Sequence, residues 1–158
     1  MASSPTAQPV ADAARDLGLD IEVREFPAGT RTAEDAARAI GVQVGQIVKS
    51  LVFVADDRPV LCLVSGSNRL DAARLAKLEK AQEISRADAD TVRETTGFAV
   101  GGVPPFGHRT RIPVYLDRDL LLYETVWAAA GTPTSVFAVD PQRLAAACDA
   151  TIADLKER

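Results

Sequence analysis

Residues 46–66 read QIVKSLVFVADDRPVLCLVSG and carry the clearest structural signal in the chain. Two runs of β-branched and other apolar residues flank the polar turn at 56–59, Asp-Asp-Arg-Pro. Two such runs joined by a short polar segment are typical of a β-hairpin. We therefore predict a fold built on a β-sheet that contains this hairpin.

Helices and further strands are predicted on both sides of the hairpin. Before it, the patterns indicate a helix from Pro9 to Leu17 that stops at Gly18, a strand over 20–26 ended by residues 27–29, and a helix over 33–40 with Thr32 as N-cap and Gly41 at its end. After the hairpin, the patterns indicate helices over 71–80 and 86–95 and a strand leading into a glycine-rich loop from Gly97. Strands are then predicted near 112–116, 122–128 and 134–139. A last helix is predicted over 140–155, with Asp140 as N-cap and Pro141 at the first helical position. The prediction is an α/β chain of the α+β type, with about seven strands mostly in hairpin-like succession and helices laid over them.

Composition predicts one globular domain in a reducing compartment. The 158 residues are 47% hydrophobic and 25% charged, and we place an N-terminal tail and short helix at 1–18 and the main domain at 19–158. No segment approaches the roughly 18 apolar residues that span a bilayer, which predicts a cytoplasmic protein. Cys62 and Cys148 are too few for a disulfide framework, and the single histidine argues against a zinc site. We expect neither metal nor cofactor.

Basic residues cluster locally although the net charge is −4. Two interpretations stay open for these clusters, solvated faces or a phosphate-binding rim. Their members are Arg69, Arg74, Lys77, Lys80, Arg109, Arg111 and Arg118.

Lys49 interrupts an apolar run, IVKSLVFV at 47–54. As an edge-strand lysine it would discourage aggregation. In a partly desolvated pocket its amine would need an anionic partner or would have a lowered pKa. The second arrangement suits a site that handles a phosphate or a developing oxyanion.

The stretch GFAVGGVPPFGH at 97–108 concentrates backbone constraint. Gly101 and Gly102 allow main-chain N–H groups to approach a ligand, and Pro104 and Pro105 stiffen the turn. Such a loop could aim a pair of donors at a carbonyl oxygen, as an oxyanion hole requires; a tight structural turn is the alternative. It is neither a Walker loop nor a dinucleotide fingerprint.

Other candidate groups are weaker. His108 could act as a general base, but Arg109, Thr110 and Arg111 after it favour an exposed loop exit. Ser65 lacks a nucleophile-elbow frame, which argues against a Ser-His-Asp enzyme. The turn AAAGTPTS at 128–135 could form the far wall of a pocket or be a plain hairpin turn.

Four segments together resemble the YbaK/prolyl-tRNA-editing family of aminoacyl-tRNA deacylases. They are IVKSLVFV at 47–54, LCLVSGSNRLDAARLAKL at 61–78, TTGFAVGGVPPFGHRTRIPVYLD at 95–117 and VWAAAGTPTSVFAV at 126–139. The resemblance implies a mostly antiparallel or mixed central sheet curved into a partial barrel. It also implies hydrolysis of the ester that joins a wrong amino acid to the 3′ end of tRNA, most often the tRNA for proline. Such editing is needed where a synthetase pocket cannot exclude a smaller amino acid.

The resemblance also assigns site residues. Lys49 takes the place of the family's functional lysine, and Gly101 to Pro105 match its G-x-x-x-P loop, so that Lys49, Gly101 and Gly102 are the expected catalytic residues. The expected substrate-binding residues are Phe26, Ser65, Val103, Pro104, Pro105, Phe106, Gly107, His108, Gly131 and Thr132. Water attack aided by the substrate's own hydroxyl would need no protein nucleophile or metal.

The family's cysteine-clearing branch carries a serine and an aspartate where our alignment places Ala129 and Val136. This departure argues against a cysteine-specific assignment. An apolar pocket partly lined by Val103, Phe106 and Phe26 would suit a small amino acid such as alanine, so alanine and cysteine are the two candidates. Expected partners are mischarged tRNA, bound weakly and in a salt-sensitive way because the chain is acidic, and a prolyl-tRNA synthetase that delivers it. A non-catalytic module that binds tRNA ends or docks on a synthetase is the main alternative, and a general small-ester hydrolase is a further one.

Overall fold

The computed structural model describes residues 8–26 and 32–158. Its helices are α1 (Gln8–Asp16), α2 (Ala33–Ile40), α3 (Ala72–Glu79), α4 (Ala89–Thr96) and α5 (Pro141–Ala147), with 3₁₀ segments at Val44–Gln46 and Arg118–Leu122. Its strands are β1 (Val23–Glu25), β2 (Val48–Ala55), β3 (Arg58–Ser65), β4 (Ile84–Arg86), β5 (Val114–Asp117), β6 (Val126–Ala129), β7 (Ser135–Val139) and β8 (Thr151–Ala153). The predicted mixture of helices and strands is confirmed.

The strands form two sheets. One sheet has the order β1-β7-β6, and the other has the order β4-β2-β3-β5-β8. Neither order closes on itself, and the two sheets meet at an isolated bridge between Ile47 and Trp127. The expected single sheet of about seven strands is therefore wrong in detail, because the described residues divide eight strands between two open sheets with no closed barrel.

The predicted hairpin is confirmed. β2 and β3 pair antiparallel from Val48 opposite Ser65 to Ala55 opposite Arg58. Asp56 takes a positive φ of 57° in the turn, a conformation that aspartate tolerates better than most residues. The alternation of side chains places Val48 and Val52 on the face of the largest core cluster and places Leu51 and Phe53 on the opposite face, against a second cluster.

Local capping signals are confirmed as well. Thr32 accepts a hydrogen bond from the Asp35 N–H at the start of α2, and Gly41 ends that helix with a φ of 88°. Asp140 caps α5, with Pro141 in its first turn. Helix α1 packs into the largest core cluster through Val10 and Ala14, both fully buried.

Two predicted elements are wrong. No strand begins at Gly97, because this glycine is the left-handed C-cap of α4 and the chain from 98 to 113 runs as loops and turns. The last helix does not reach residue 155 but ends at Ala147, and β8 follows in parallel with β5. The short strand β4 was missed, since Arg86 was assigned to the following helix. Within the described ranges, no helix is long and apolar enough to cross a membrane.

Candidate functional site

A cavity of about 450 Å³ lies where the two sheets meet. Its walls come from the start of α2, from β2, from the end of β4, from the glycine-rich loop and from the β6–β7 turn. This size is within the range of small-ligand sites in proteins. The lining includes Thr32, Glu34, Ile47, Val48, Lys49, Ser50, Val52, Arg86, Val92, Val100, Gly101, Val103, Trp127, Ala128, Ala129, Pro133, Ser135 and Val136.

Lys49 lines this cavity from β2 and is half-buried. Its Nζ donates a hydrogen bond to the main-chain oxygen of Asn68. Burial lowers the pKa of the Lys49 amine below the usual 10.5, while the carboxylates of Glu34 and Asp117 act in the opposite direction. Since an ammonium has three donors, two remain for a ligand.

A buried polar network holds the acceptor of Lys49. Asn68 donates through Nδ2 to Asp117 Oδ2 at 2.8 Å and to Asp119 Oδ2 at 2.9 Å. Asp117 is fully buried and also accepts from the Ser65 N–H at 3.0 Å. These bonds fix the segment after β3, so the Asn68 carbonyl that accepts the Lys49 amine is held in place by the side-chain bonds of the same residue.

The glycine-rich loop contributes a tight turn to the wall of the cavity. The Gly102 N–H donates to the Ala99 carbonyl at 3.0 Å, and Gly101 has a φ of 89°, as the third residue of a type II turn requires. The Gly102 N–H is thus already used, and the two glycines do not form a pair of free donors. The Gly101 N–H has no acceptor within residues 8–26 and 32–158.

The glycine-rich loop and the β6–β7 turn are in direct contact. The Gly131 N–H donates to the Gly102 carbonyl at 2.9 Å. A Cβ placed on Gly102 would lie 2.8 Å from Thr132 Cα. Residue 102 therefore has to be glycine for the two turns to approach this closely.

The β6–β7 turn is braced from β1. Ser135 is buried, lines the cavity and donates through Oγ to Glu25 Oε1 at 2.7 Å. Thr134 donates to the other carboxylate oxygen of Glu25 at 3.3 Å. This wall is consequently fixed by side-chain bonds as well as by the strands.

The expected site residues fall into three groups. Lys49, Gly101 and Val103 line the cavity. Gly102, Gly131 and Thr132 lie directly behind it, in the contact between the two turns. The remaining expected residues, Phe26, Ser65, Pro104, Pro105, Phe106, Gly107 and His108, are outside the lining as the described chain shows it.

The residues of the third group have visible structural partners. Ser65 is fully buried and donates through Oγ to the Gly45 carbonyl at 2.7 Å. Phe106 packs on Phe137 in the core, with 5.7 Å between ring centroids. His108 Nε2 donates to the Pro104 carbonyl at 2.6 Å, and burial lowers the pKa of its ring. These contacts stabilise Ser65 and the glycine-rich loop, and the binding roles expected for these residues stay predictions.

The two cysteines offer no reactive thiol. Burial raises the pKa of Cys62 to about 12 and that of Cys148 to about 12. A nucleophilic cysteine requires the thiolate at neutral pH. Neither residue is among those that line the cavity in the described chain.

Sequence reasoning missed several lining residues. Trp127 on β6, Arg86 on β4 and Glu34 on α2 come from elements far apart in sequence. Trp127 is the only tryptophan and belongs to a quoted segment, so its rarity was an available signal. Arg86 and Glu34 had none, because only the fold brings them to Lys49.

The comparisons with known proteins cover most of the chain. The model of the aminoacyl-tRNA editing domain matches residues 27–147. A solved structure provisionally described as a trans-editing enzyme for prolyl tRNA synthetase is 51% identical, with a TM-score of 0.94 over 99% of this chain and 100% of that one. These two findings confirm the resemblance that the sequence predicted.

Two curated relatives agree with that assignment. A protein of Enterococcus faecalis, EbsC, provisionally named a Cys-tRNA(Pro)/Cys-tRNA(Cys) deacylase, is 31% identical over 63% of this chain and 62% of its own length. A proline–tRNA ligase of Elusimicrobium minutum is 36% identical over 67% of this chain, which corresponds to 18% of the ligase. The chain thus spans about three fifths of the first relative and under a fifth of the second. On the extent of the domain match, this chain belongs to the aminoacyl-tRNA editing domain family.

Proposed function

We propose that this chain is a free-standing deacylase that hydrolyses the ester between a wrong amino acid and the 3′-terminal adenosine of tRNA. The substrate class we propose is tRNA for proline carrying a small non-cognate amino acid, alanine or cysteine. The observation that carries the proposal is that Lys49 and Gly101, whose N–H has no acceptor among the described residues, line the same cavity. Both groups suit an oxygen that gains negative charge during ester hydrolysis.

Direct attack by water fits the groups around the cavity. The only histidine of the chain is bonded to Pro104, and both thiols have raised pKa values. The hydroxyls of Thr32, Ser50 and Ser135 line the cavity without a histidine to activate them. An aminoacyl ester is already reactive, so that positioning of water and the neighbouring ribose hydroxyl is sufficient in this proposal.

The composition of the wall favours alanine within that class. Ala129 and Val136 both line the cavity, and neither offers a polar group to a thiol. Val48, Val52 and Val103 add further apolar surface. The part of the cavity that these apolar residues line would separate amino-acid side chains mainly by size.

Release of amino acids from a panel of mischarged tRNAs tests this function. The panel carries alanine, cysteine, serine or proline on tRNA for proline, and the variants are Lys49→Ala and, as a matched control, Lys77→Ala. Lys77 is exposed on α3 and lies outside the lining of the cavity. We expect rapid release of alanine by the native protein and by Lys77→Ala, and loss of release by Lys49→Ala with the fold intact.

A different outcome would change the assignment. No release of any amino acid, with or without an added prolyl-tRNA synthetase, would refute the enzyme and leave a tRNA-end-binding or synthetase-docking module. Release of cysteine alone would keep the enzyme and overturn the preference for alanine. Because the chain carries a net charge of −4, we expect binding of bare tRNA to be weak and sensitive to salt.

A further inference from the structure

Several arginines outside the cavity form ion pairs with carboxylates. Arg74, Arg118 and Arg158 converge on Asp154, and Arg111 pairs with Asp149 at 3.7 Å. For Arg74, Arg111 and Arg118, which the sequence left as either a solvated face or a phosphate rim, the ion pairs favour the solvated face. A carboxylate beside a guanidinium offsets part of the charge that the arginine would offer a distant anion.

Among the described arginines, Arg69 and Arg86 are the two whose charges act on Lys49. The side chains of Arg69 and Arg86 are exposed, and neither has a carboxylate within salt-bridge distance among residues 8–26 and 32–158. Like them, Arg24, Arg93, Arg109 and Arg143 form no ion pair with the described residues. Arg86 lies at the end of β4, opposite Phe53 of β2, and lines the cavity. Arg69 directly follows Asn68, whose carbonyl accepts the Lys49 amine. Arg69 and Arg86 therefore act on Lys49 from two different parts of the chain, the segment after β3 and the end of β4.

The electrostatics of Lys49 agree with this placement. The charges of Arg69 and Arg86 both act to lower its pKa, as positive neighbours do. Glu34, which also lines the cavity, acts in the opposite sense. Two cations and one carboxylate, Lys49, Arg86 and Glu34, thus line this cavity, and the charge of Arg69 acts on Lys49 from the segment after β3, in a chain that is acidic as a whole.

We propose that Arg69 and Arg86 form an anion-binding rim that holds the phosphodiester groups just before the terminal adenosine of the tRNA. This inference rests on the proposed function and adds two residues, Arg69 and Arg86, to which the proposed function assigns no role. The rim would supply the local attraction that an acidic chain needs for a polyanion, while the cavity receives the aminoacyl ester. Arg69 and Arg86 would bind substrate and take no part in the bond-breaking step.

Two substrates separate this role from a structural one. The first is alanyl-tRNA for proline, and the second is the alanyl ester of adenosine, which has no phosphate. We expect Arg69→Ala and Arg86→Ala each to lower kcat/KM for the tRNA by about three- to fivefold, as exposed ion pairs allow. Neither substitution should change hydrolysis of the alanyl-adenosine. Arg111→Ala, an exposed arginine outside the lining, is the matched control and should behave as the native protein.

Salt dependence gives a second readout that needs only the tRNA. Each lost contact with a single-stranded end should reduce the slope of log kcat/KM against log salt concentration by about 0.7. An unchanged slope, equal losses on both substrates, or an equal loss in Arg111→Ala would overturn the rim. If the native protein and the two arginine variants release alanine from the tRNA at the same rate, this inference is refuted and the proposed function stands. If the native protein hydrolyses neither substrate, the proposed function is refuted as well.

Discussion

Substitution of Gly102 by alanine tests whether the contact between the two turns shapes the site. The added Cβ would lie 2.8 Å from Thr132 Cα and 2.9 Å from both its C and N atoms. Ordinary carbon contacts are about 3.5 Å or longer, so the turns would have to separate by about 0.7 Å. The neighbours are main chain, which cannot rotate away. We expect a loss of about 2 kcal/mol in the free energy of unfolding, as for other overpacked interiors.

The same displacement should impair hydrolysis of mischarged tRNA. Gly101 is next in the chain, and small misplacements of a positioned group are costly for catalysis, so we expect kcat/KM to fall by about tenfold. Urea unfolding and alanyl-tRNA deacylation would be measured together. Gly18→Ala is the control, because Gly18 has a φ of 83° but open space around its Cβ position. It should lose about 1 kcal/mol through backbone strain and keep full activity. A Gly102→Ala variant with native stability and activity would refute the reasoning.

Two further predictions concern Lys49 and the network below it. Burial lowers the pKa of the Lys49 amine, and only its charged form attracts an anion, so catalysed deacylation should decline as the pH rises through a value below 10.5. The deacylation rate would be measured over a pH series and corrected for uncatalysed release. A rate that stays constant over that series would contradict the prediction. Asp117→Ala should lower the free energy of unfolding by about 3 kcal/mol, because the Ser65 N–H and the Asn68 amide lose a buried acceptor. Asp119→Ala, at a partly exposed carboxylate, should cost clearly less in the same urea titration, and equal losses would count against the network.

Sequence patterns predicted the elements whose signals are local. The β2–β3 hairpin has both apolar runs and its turn within residues 46–66, and α2 carries its own cap at Thr32 and its own stop at Gly41. Each of these signals acts between residues close in the chain. The predicted elements are present in the structure because tertiary contacts agree with these local preferences.

Elements that depend on distant partners were not predictable in this way. The alanine-rich segment after Pro141 favours a helix, yet Asp149 adopts a positive φ of 52° and residues 151–153 pair with β5 instead. The short strand β8 offers only Thr151 and Ile152 as local signals. Its pairing with β5 outweighs helix propensity, which is a weak preference in any case.

The candidate site shows the same division. Lys49 and Gly101 were predicted because a lysine inside an apolar strand and a pair of glycines before two prolines are unusual in themselves. Arg86, Glu34 and Ser135 are ordinary residues in ordinary contexts, and they line the cavity only because three separate elements converge there. In the loop that follows Gly101, Pro104, Pro105 and Phe106 are buried, whereas Gly107 is exposed and His108 is half-buried. Their expected role in substrate binding stays a prediction.

The packing of helix α1 shows that the folded core extends beyond the stretch that the family shares. The family match begins at residue 27 and ends at residue 147. Val10 and Ala14 on one side of that stretch, and Leu155 on the other, are nevertheless fully buried in the core. Ala13 lies beneath the glycine-rich loop, 3.0 Å from where a Cβ on Gly107 would be. Residues on both sides of the matched stretch therefore complete the core of the shared domain. A truncated protein that is to fold and work has to include them, and its ends cannot be placed at residues 27 and 147.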